Sequence, residues 1–213
     1  MSNPFYRVPD SELATKATSY VKNLSAPYLY NHVMRSYAYG YIVGERTGMK
    51  YDLELYYLGS LFHDIGFTAP LVCADGPFDK LGAQEAYNYL VEHEYPSEKA
   101  KIAQLAIELH TTLEGKDHTQ SEVAMVSLGA MIDATGIAIH EIDAKALRYI
   151  MDAYPDVEAN CSFIELFLYQ YKKTNDVKFL MIAEAAKKNR PTCSHKSHRY
   201  DSMFPTSVDI TKS

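Results

Sequence analysis

Apolar residues recur every three to four positions along most of this chain, and that helical spacing constrains its fold more than any other feature. No run of alternating apolar and polar residues is long enough to predict a sheet. No internal repeat or low-complexity linker separates the helical segments. The pattern therefore predicts an all-α protein built as a single helical bundle.

Caps and helix breakers place the ends of these helices. Glycines follow three of the periodic segments, at Gly48, Gly66 and Gly136, and Ser97 after Pro96 suits an N-cap. The predicted helices cover 11–24, 30–47, 53–64, 81–93, 97–112, 121–135, 144–153, 161–173 and 177–189, with a loop at 68–80. We assign 1–190 to one helical domain and 191–213 to a polar tail that either belongs to that domain or is loose.

Composition and charge exclude several classes of protein. The 213 residues are 47% hydrophobic and 23% charged, which is typical of one globular domain. A net charge of -6 without a dense Lys/Arg patch argues against nucleic-acid binding. No apolar run approaches the ~20 residues of a membrane span, and Met1 to Asp10 carries no secretory signal pattern. The three scattered cysteines suggest reduced thiols and a cytoplasmic location.

A His-Asp pair, His63-Asp64, ends the third predicted helix, and Gly66 lets the chain turn away directly after it. Such a pair can present an imidazole nitrogen and a carboxylate oxygen to one ion. His32 lies on the preceding helix. Asp133 lies on an apolar face of the sixth predicted helix, where a carboxylate needs a cation or several donors. The alternatives are an exposed His-Asp pair and an Asp133 that pairs with Arg or Lys.

Two further residues allow two interpretations each. His110 ends the fifth predicted helix on a buried stripe with Ile102 and Ala106, so it is either a satisfied core histidine or a site residue. Arg35 lies one turn beyond His32. It either pairs with an acidic residue or holds an anionic substrate.

The order of these residues resembles the HD-domain superfamily of metal-dependent enzymes, over residues 31–136. The resemblance implies an HD-domain helical bundle with four metal ligands: His32, His63, Asp64 and Asp133. Two-metal members usually carry an extra histidine four residues before a Gly-Ala pair. Here Phe78 stands four residues before Gly82-Ala83. The resemblance therefore implies one divalent ion and argues against di-iron oxygenases and two-metal phosphodiesterases.

Segments 31–37, 62–68, 106–111 and 128–130 are similar to the cyanamide hydratase branch of this superfamily, whose members are zinc enzymes that convert cyanamide to urea. The similarity implies a zinc-dependent hydratase, a hydro-lyase acting on a small neutral nitrile-type substrate, with cyanamide favoured. Asp64 would accept a proton while holding the ion, His110 would donate to the nitrogen, and Thr111 would support it by hydrogen bonding. A small pocket is expected behind three aromatic residues: Phe62, Phe67 and Phe78.

Two other functions stay open at this point. An HD-type phosphohydrolase acting on a small nucleotide needs basic residues near the metal, and only Arg35, Lys80 and Lys116 are candidates. A metal-binding or regulatory domain without catalysis would need no open coordination position. The related hydratases can form oligomers, and 18 tyrosines would suit an interface, so a homo-oligomer is also open.

Overall fold

The computed structural model describes residues 3–156 and 159–189, and every regular element within them is helical. The all-α prediction is therefore confirmed. None of the helices in these ranges is both long and apolar enough to cross a membrane. The α-helices are α1 Glu12–Leu24, α2 Pro27–Thr47, α3 Leu53–Phe62, α4 Ala69–Val72, α5 Phe78–Glu92, α6 Ser97–Leu109, α7 Leu113–Lys116, α8 Ser121–Thr135, α9 Ala144–Ala153, α10 Ala159–Thr174 and α11 Val177–Asn189.

The structure departs from the predicted boundaries at several helix ends: α3 and α6 end two and three residues early, and the short helix α7 was not predicted. Helix α2 begins at Pro27, three residues before the predicted start, because proline is well suited to the first helical position. The segment 68–80 is not one loop: it contains α4 and the start of α5 at Phe78. The polar tail predicted at 191–213 lies outside the described residues.

Helices α2 and α8 form the most extensive helix pair of the bundle. Their backbones touch where glycines face the partner helix. A Cβ atom on Gly129 would overlap the carbonyl oxygen of Ser36 and lie 3.0 Å from the amide nitrogen of Gly40. The glycine thus allows the close approach that sets His32 on α2 beside Asp133 on α8.

Tyrosines fill much of the main core. Tyr37, Tyr56 and Tyr57 are almost completely buried, and the Tyr37 ring stacks on Tyr56 at a centroid distance of 5.0 Å. Their hydroxyls are bonded within the protein. Tyr56 Oη donates to the Tyr37 carbonyl at 2.6 Å, Tyr57 Oη bonds Thr18 Oγ1 at 2.6 Å, and Tyr37 Oη donates to the Arg7 carbonyl. These bonds offset the cost of burying the phenols.

A second, smaller apolar cluster joins α10 and α11 to the rest of the bundle. Phe167 of α10 and Phe179 of α11 contact Phe78 at the start of α5, with centroid distances of 6.1 Å and 5.6 Å. Phe78 stacks in turn on Phe67 at 3.7 Å. The cluster places α11 alongside α8, on the side of the bundle that carries the candidate metal residues.

Candidate metal centre

The His-Asp pair lies where α3 ends. His63 follows the last residue of α3, and its Nδ1 lies 2.7 Å from the carbonyl oxygen of Ser60. Because a carbonyl oxygen only accepts, Nδ1 carries the ring proton and Nε2 keeps its lone pair. Asp64 then leaves the helical conformation at φ -110° and precedes a 3₁₀ turn. The end of the helix therefore fixes which nitrogen of His63 is available as a ligand.

His110 repeats this arrangement at the end of α6. Its Nδ1 donates to the carbonyl oxygen of Ile107 at 2.6 Å, so its Nε2 also carries a lone pair when the ring is neutral. Nε2 lies 3.4 Å from Asp64 Oδ1. Of the two interpretations that the sequence left open, this contact favours a site residue.

His32 lies in the second turn of α2, and its side chain faces His63 and Asp64. Its Nδ1 donates to Asp133 Oδ2 at 2.7 Å, which again leaves Nε2 with a lone pair. His32 Nε2 lies 3.1 Å from His63 Nε2 and 3.2 Å from Asp64 Oδ2. All three side chains are at most 2% exposed. They form a buried group of ligand atoms that can hold a metal ion.

The polarity of these atoms fits a cation. Two nitrogen lone pairs and a carboxylate oxygen that face one another repel unless a proton or a cation lies between them. Among the described residues, no hydrogen bond reaches the buried oxygen Asp64 Oδ2. Nitrogen and oxygen ligands ~2.1 Å from a tetrahedral ion lie ~3.4 Å from each other. The separations of 3.1, 3.2 and 3.6 Å bracket that value, so the group fits one divalent ion.

Asp133 has a different position from the one expected of a metal ligand. Its two oxygens accept from Arg35, from Nε at 2.7 Å and from an NH2 nitrogen at 2.8 Å, and Oδ2 also accepts from His32 Nδ1. Asp133 therefore contacts the side of the His32 ring that faces away from His63. It lies outside the group of converging ligand atoms, and its expected role as a fourth direct ligand stays a prediction. In this position it supports the His32 ring, as carboxylates behind metal-binding histidines commonly do.

Arg35 is held by the same pairing and by the segment after α9. It is completely buried, and it donates to the carbonyl oxygens of Tyr154 at 3.1 Å and Pro155 at 3.2 Å. Its side chain also reaches Asp156 Oδ1 at 3.2 Å. These contacts support the structural interpretation of Arg35, since each nitrogen of its guanidinium donates to an oxygen of the protein.

The surroundings of His63 and Asp64 favour the protonation states in which these two side chains can bind a cation. Burial alone would raise the pKa of Asp64, but His63, His110 and His32 hold that pKa well below its usual range. Burial lowers the pKa of His63 to about 4 against the opposing charge of Asp64. Burial would also lower the pKa of His32, but Asp133 and Asp64 outweigh it and raise that pKa. Asp64 is thus ionised and His63 neutral near neutral pH, as cation binding requires, whereas the raised pKa of His32 favours a proton that a bound cation would displace from this ring.

Thr111 lies beside the centre in a contact that the sequence did not indicate. Its hydroxyl donates to Asp79 Oδ2 at 2.9 Å, rather than supporting His110 as expected. Asp79 is completely buried, and the same oxygen accepts from Lys178 Nζ at 2.7 Å. Asp79 therefore links α5, the end of α6 and α11. Its position beside Phe78 at the start of a helix gave no sign of this role.

A cavity of about 480 Å³ opens onto the centre, and His32, Asp64 and His110 form part of its wall. The three aromatic residues expected to line it do not do so, which corrects that prediction. Phe62 packs on Tyr89 in the main core at a centroid distance of 5.2 Å, while Phe67 and Phe78 lie in the second cluster. Proximity in the chain misled here, because a helix turns consecutive residues to different faces. Among the described residues, the phenylalanine that does line the cavity is Phe167.

No family model matches the chain, and no curated protein sequence is significantly similar to it. Membership of the HD-domain superfamily therefore stays a prediction from the residues quoted above.

Proposed function

We propose that this chain is a metal-dependent hydratase of the HD-domain type that adds water to a nitrile-type substrate, with cyanamide as the favoured member. The observation that carries the proposal is the convergence of two histidine nitrogens with an Asp64 oxygen that takes part in no hydrogen bond within the described residues, in a group whose His32 and Asp64 line a cavity. An accessible cavity distinguishes this centre from a closed structural metal site, which has no use for one.

His32, His63 and Asp64 would hold one divalent ion. Two imidazoles and a carboxylate suit several such ions, and the resemblance to the hydratases favours zinc. When bound, an ion of this kind lowers the pKa of a water in its shell toward ~7 and so makes a nucleophile available near neutral pH. Three protein ligands leave a fourth position open, as in catalytic zinc sites generally.

The remaining chemistry falls to two side chains of the chain itself. Hydration of C≡N forms a C–O bond and breaks one C–N π bond, while one proton leaves the water oxygen and one joins the nitrogen. Transfer of the remaining oxygen-bound proton to nitrogen then gives urea. Asp64, held in its carboxylate form, can accept the first proton, and His110 Nε2 lies 3.4 Å from Asp64 Oδ1. Because His110 Nδ1–H stays bonded to Ile107, proton exchange on this ring occurs at Nε2, which faces the centre.

Phosphate-ester hydrolysis is the second candidate, and one observation favours it. Lys116 and Lys178 both line the cavity and could attract an anionic substrate. Each lysine already has an acidic partner, however: Asp117 for Lys116 and Asp79 for Lys178, both at 2.7 Å. Arg35 is buried against Asp133 and cannot contribute. The net cationic character of the cavity is therefore small, which favours an uncharged substrate.

The test combines metal analysis with a reaction assay. Purified protein is expected to hold about one zinc ion per chain and to release urea from cyanamide. His63→Ala is expected to lose the ion, because it removes a ligand. His110→Ala is expected to keep the ion but lose ~100-fold or more in turnover, the usual contribution of a positioned acid or base.

His140→Ala provides the matched control, since His140 is an exposed histidine in the 3₁₀ turn after α8. It should leave both zinc content and turnover unchanged. Efficient phosphate release from nucleoside monophosphates without action on cyanamide would replace the hydratase proposal by the phosphohydrolase. Zinc that is bound tightly with no turnover of either substrate would refute both.

A further inference from the structure

The cavity at the metal centre is much larger than a small nitrile requires. A molecule of three heavy atoms, at roughly 30 Å³ for each water-sized group, would fill roughly a fifth of its 480 Å³. Cavities of several hundred Å³ normally receive molecules of ten or more heavy atoms. The unused volume extends away from His32 and His110, between α8 and α11.

The walls of this extension are apolar. They come from successive turns of two facing helices: Ala130, Met131 and Ala134 of α8, and Met181, Ile182 and Ala185 of α11. The spacing of three and four residues on each helix places these side chains on one face. The alanines make room between the two helices, and the larger side chains supply apolar contact area. We call this space the α8–α11 cleft.

The mouth of the cleft is apolar as well. Three large apolar side chains that line the cavity are also well exposed: Leu113 by 72%, Met181 by 64% and Ile137 by 42%. Isolated exposed apolar residues are common, but a group around a concave site indicates a surface that binds an apolar ligand. The two lysines of the cavity are paired with acidic residues, so charge does not compete with this character.

Away from the metal centre, the cavity contains a buried hydroxyl that has no hydrogen-bond partner in the described part of the chain. Ser127 lies on α8 among the lining residues and is 1% exposed, and no hydrogen bond reaches its Oγ. The neighbouring hydroxyls are satisfied, since Thr111 bonds Asp79, Thr112 bonds the Leu109 carbonyl, and Thr135 bonds the Met131 carbonyl. A buried hydroxyl left open in this way is suited to a polar atom of a ligand.

We propose that the substrate carries an uncharged apolar arm, such as a benzyl or short alkyl group, which lies in the α8–α11 cleft while Ser127 bonds a polar atom of the substrate. The proposal rests on the hydratase function above only for the reacting end of the molecule. Binding of the apolar arm can be tested separately from turnover, because it depends on the shape of the cleft and not on the reaction.

Binding and turnover are therefore measured separately, on the full zinc-loaded chain. Benzylurea, the product expected from benzylcyanamide, and urea are compared by calorimetric titration. Benzylurea should bind at least ~10-fold more tightly, because burial of a benzyl group contributes well over the 1.4 kcal/mol that tenfold requires. Benzylcyanamide should correspondingly be hydrated with a lower KM than cyanamide.

Two variants locate the arm and one controls for the substitution. Ala185→Phe fills the cleft and should remove the advantage of benzylurea over urea, with zinc content retained as the sign of an intact centre. Ser127→Ala should weaken benzylurea binding about fivefold, the effect of one hydrogen bond. Ala144→Phe places the same ring at an exposed position at the start of α9 and should change nothing.

The outcomes separate this inference from the proposed function. Benzylurea binding that Ala185→Phe abolishes supports the cleft even when cyanamide is not hydrated, and only the reaction then fails. Equal affinity for benzylurea and urea overturns the inference, as does benzylurea binding that Ala185→Phe leaves intact. A dimer in sedimentation that Met181→Glu dissociates, together with no benzylurea binding, would identify the apolar mouth as a protein interface and also overturn it.

Discussion

Replacement of Asp133 by asparagine tests the role assigned to this carboxylate behind the metal centre. Three donor groups converge on its two oxygens, at 2.7, 2.7 and 2.8 Å, from His32 and Arg35. Asp133 is 1% exposed and Arg35 is 0% exposed. The asparagine amide has the same shape but only one acceptor oxygen, and its NH2 group would face the N–H donors of His32 or Arg35. It also leaves the Arg35 charge buried with its main partner neutralised.

The magnitude follows from that burial. Removal of one member of a buried ion pair costs about 3–5 kcal/mol, and the remaining contacts of Arg35 with Tyr154, Pro155 and Asp156 favour the lower end. We therefore expect Asp133→Asn to lower the free energy of unfolding by about 3 kcal/mol. For a chain of this length, that corresponds to a fall in Tm of roughly 6–12 °C.

Urea unfolding of the metal-free protein, followed by circular dichroism, measures the loss without a contribution from a bound ion. Glu184→Gln is the matched control, because it makes the same chemical change in an exposed pair with Lys187 on α11. That control should change stability by less than ~1 kcal/mol. A loss below ~1 kcal/mol for Asp133→Asn would show that the Arg35–Asp133–His32 arrangement does not hold the two helices together as described.

Three further predictions concern the ion, the helix contact and the tyrosines. Zinc titration should show a 10–100-fold weaker affinity for Asp133→Asn and no tight binding for His63→Ala. Complete loss of zinc binding in both variants would instead make Asp133 a direct ligand. Gly129→Ala should destabilise the protein by ~1–3 kcal/mol in thermal unfolding, because its Cβ overlaps a carbonyl of α2, and an unchanged Tm would contradict that contact. Burial raises the pKa of Tyr37 and of Tyr56. Both phenols therefore stay protonated in the folded state. Their contribution to the free energy of unfolding is complete below pH ~10, and above it that free energy falls by ~1.4 kcal/mol per pH unit for each residue. Ultraviolet absorbance of tyrosinate, which no tryptophan obscures here, should rise together with unfolding; ionisation of all 18 tyrosines before unfolding would refute it.

The sequence predicted the helices well because their apolar faces repeat with a regular period. Helix α8 matches the prediction at both ends, where Gly136 adopts the left-handed conformation that ends it. The conjunction of His32 with His63-Asp64 was predicted through the resemblance to HD-domain enzymes, because the His-Asp pair alone also suited an exposed helix end. Helix α4 and the early start of α5 were missed, because Pro70, Gly76 and Pro77 dominate the local pattern and mark turns equally well.

What the sequence could not indicate are pairings between distant segments. The inward position of Asp133 was predictable from its face of the helix, but its partner, Arg35, depends on how closely α2 and α8 approach. The cavity wall was misassigned for the same reason. Phe167 and Ala185 enter it from α10 and α11, far along the chain from the histidines. Periodicity gives the buried face of each helix, and tertiary packing decides what that face meets.

The bonds from His63 and His110 to carbonyls of their own helices mean that the main chain, and not a side chain, orients these two rings. Side-chain mutagenesis cannot remove these acceptors, so a scan of every neighbouring residue would leave both ring orientations unexplained. Replacement of the Ser60 or Ile107 peptide group by an ester, which weakens the carbonyl as an acceptor, would reach them directly. Substitution of neighbouring side chains should therefore leave both ring orientations intact wherever the helix ends at the same residue.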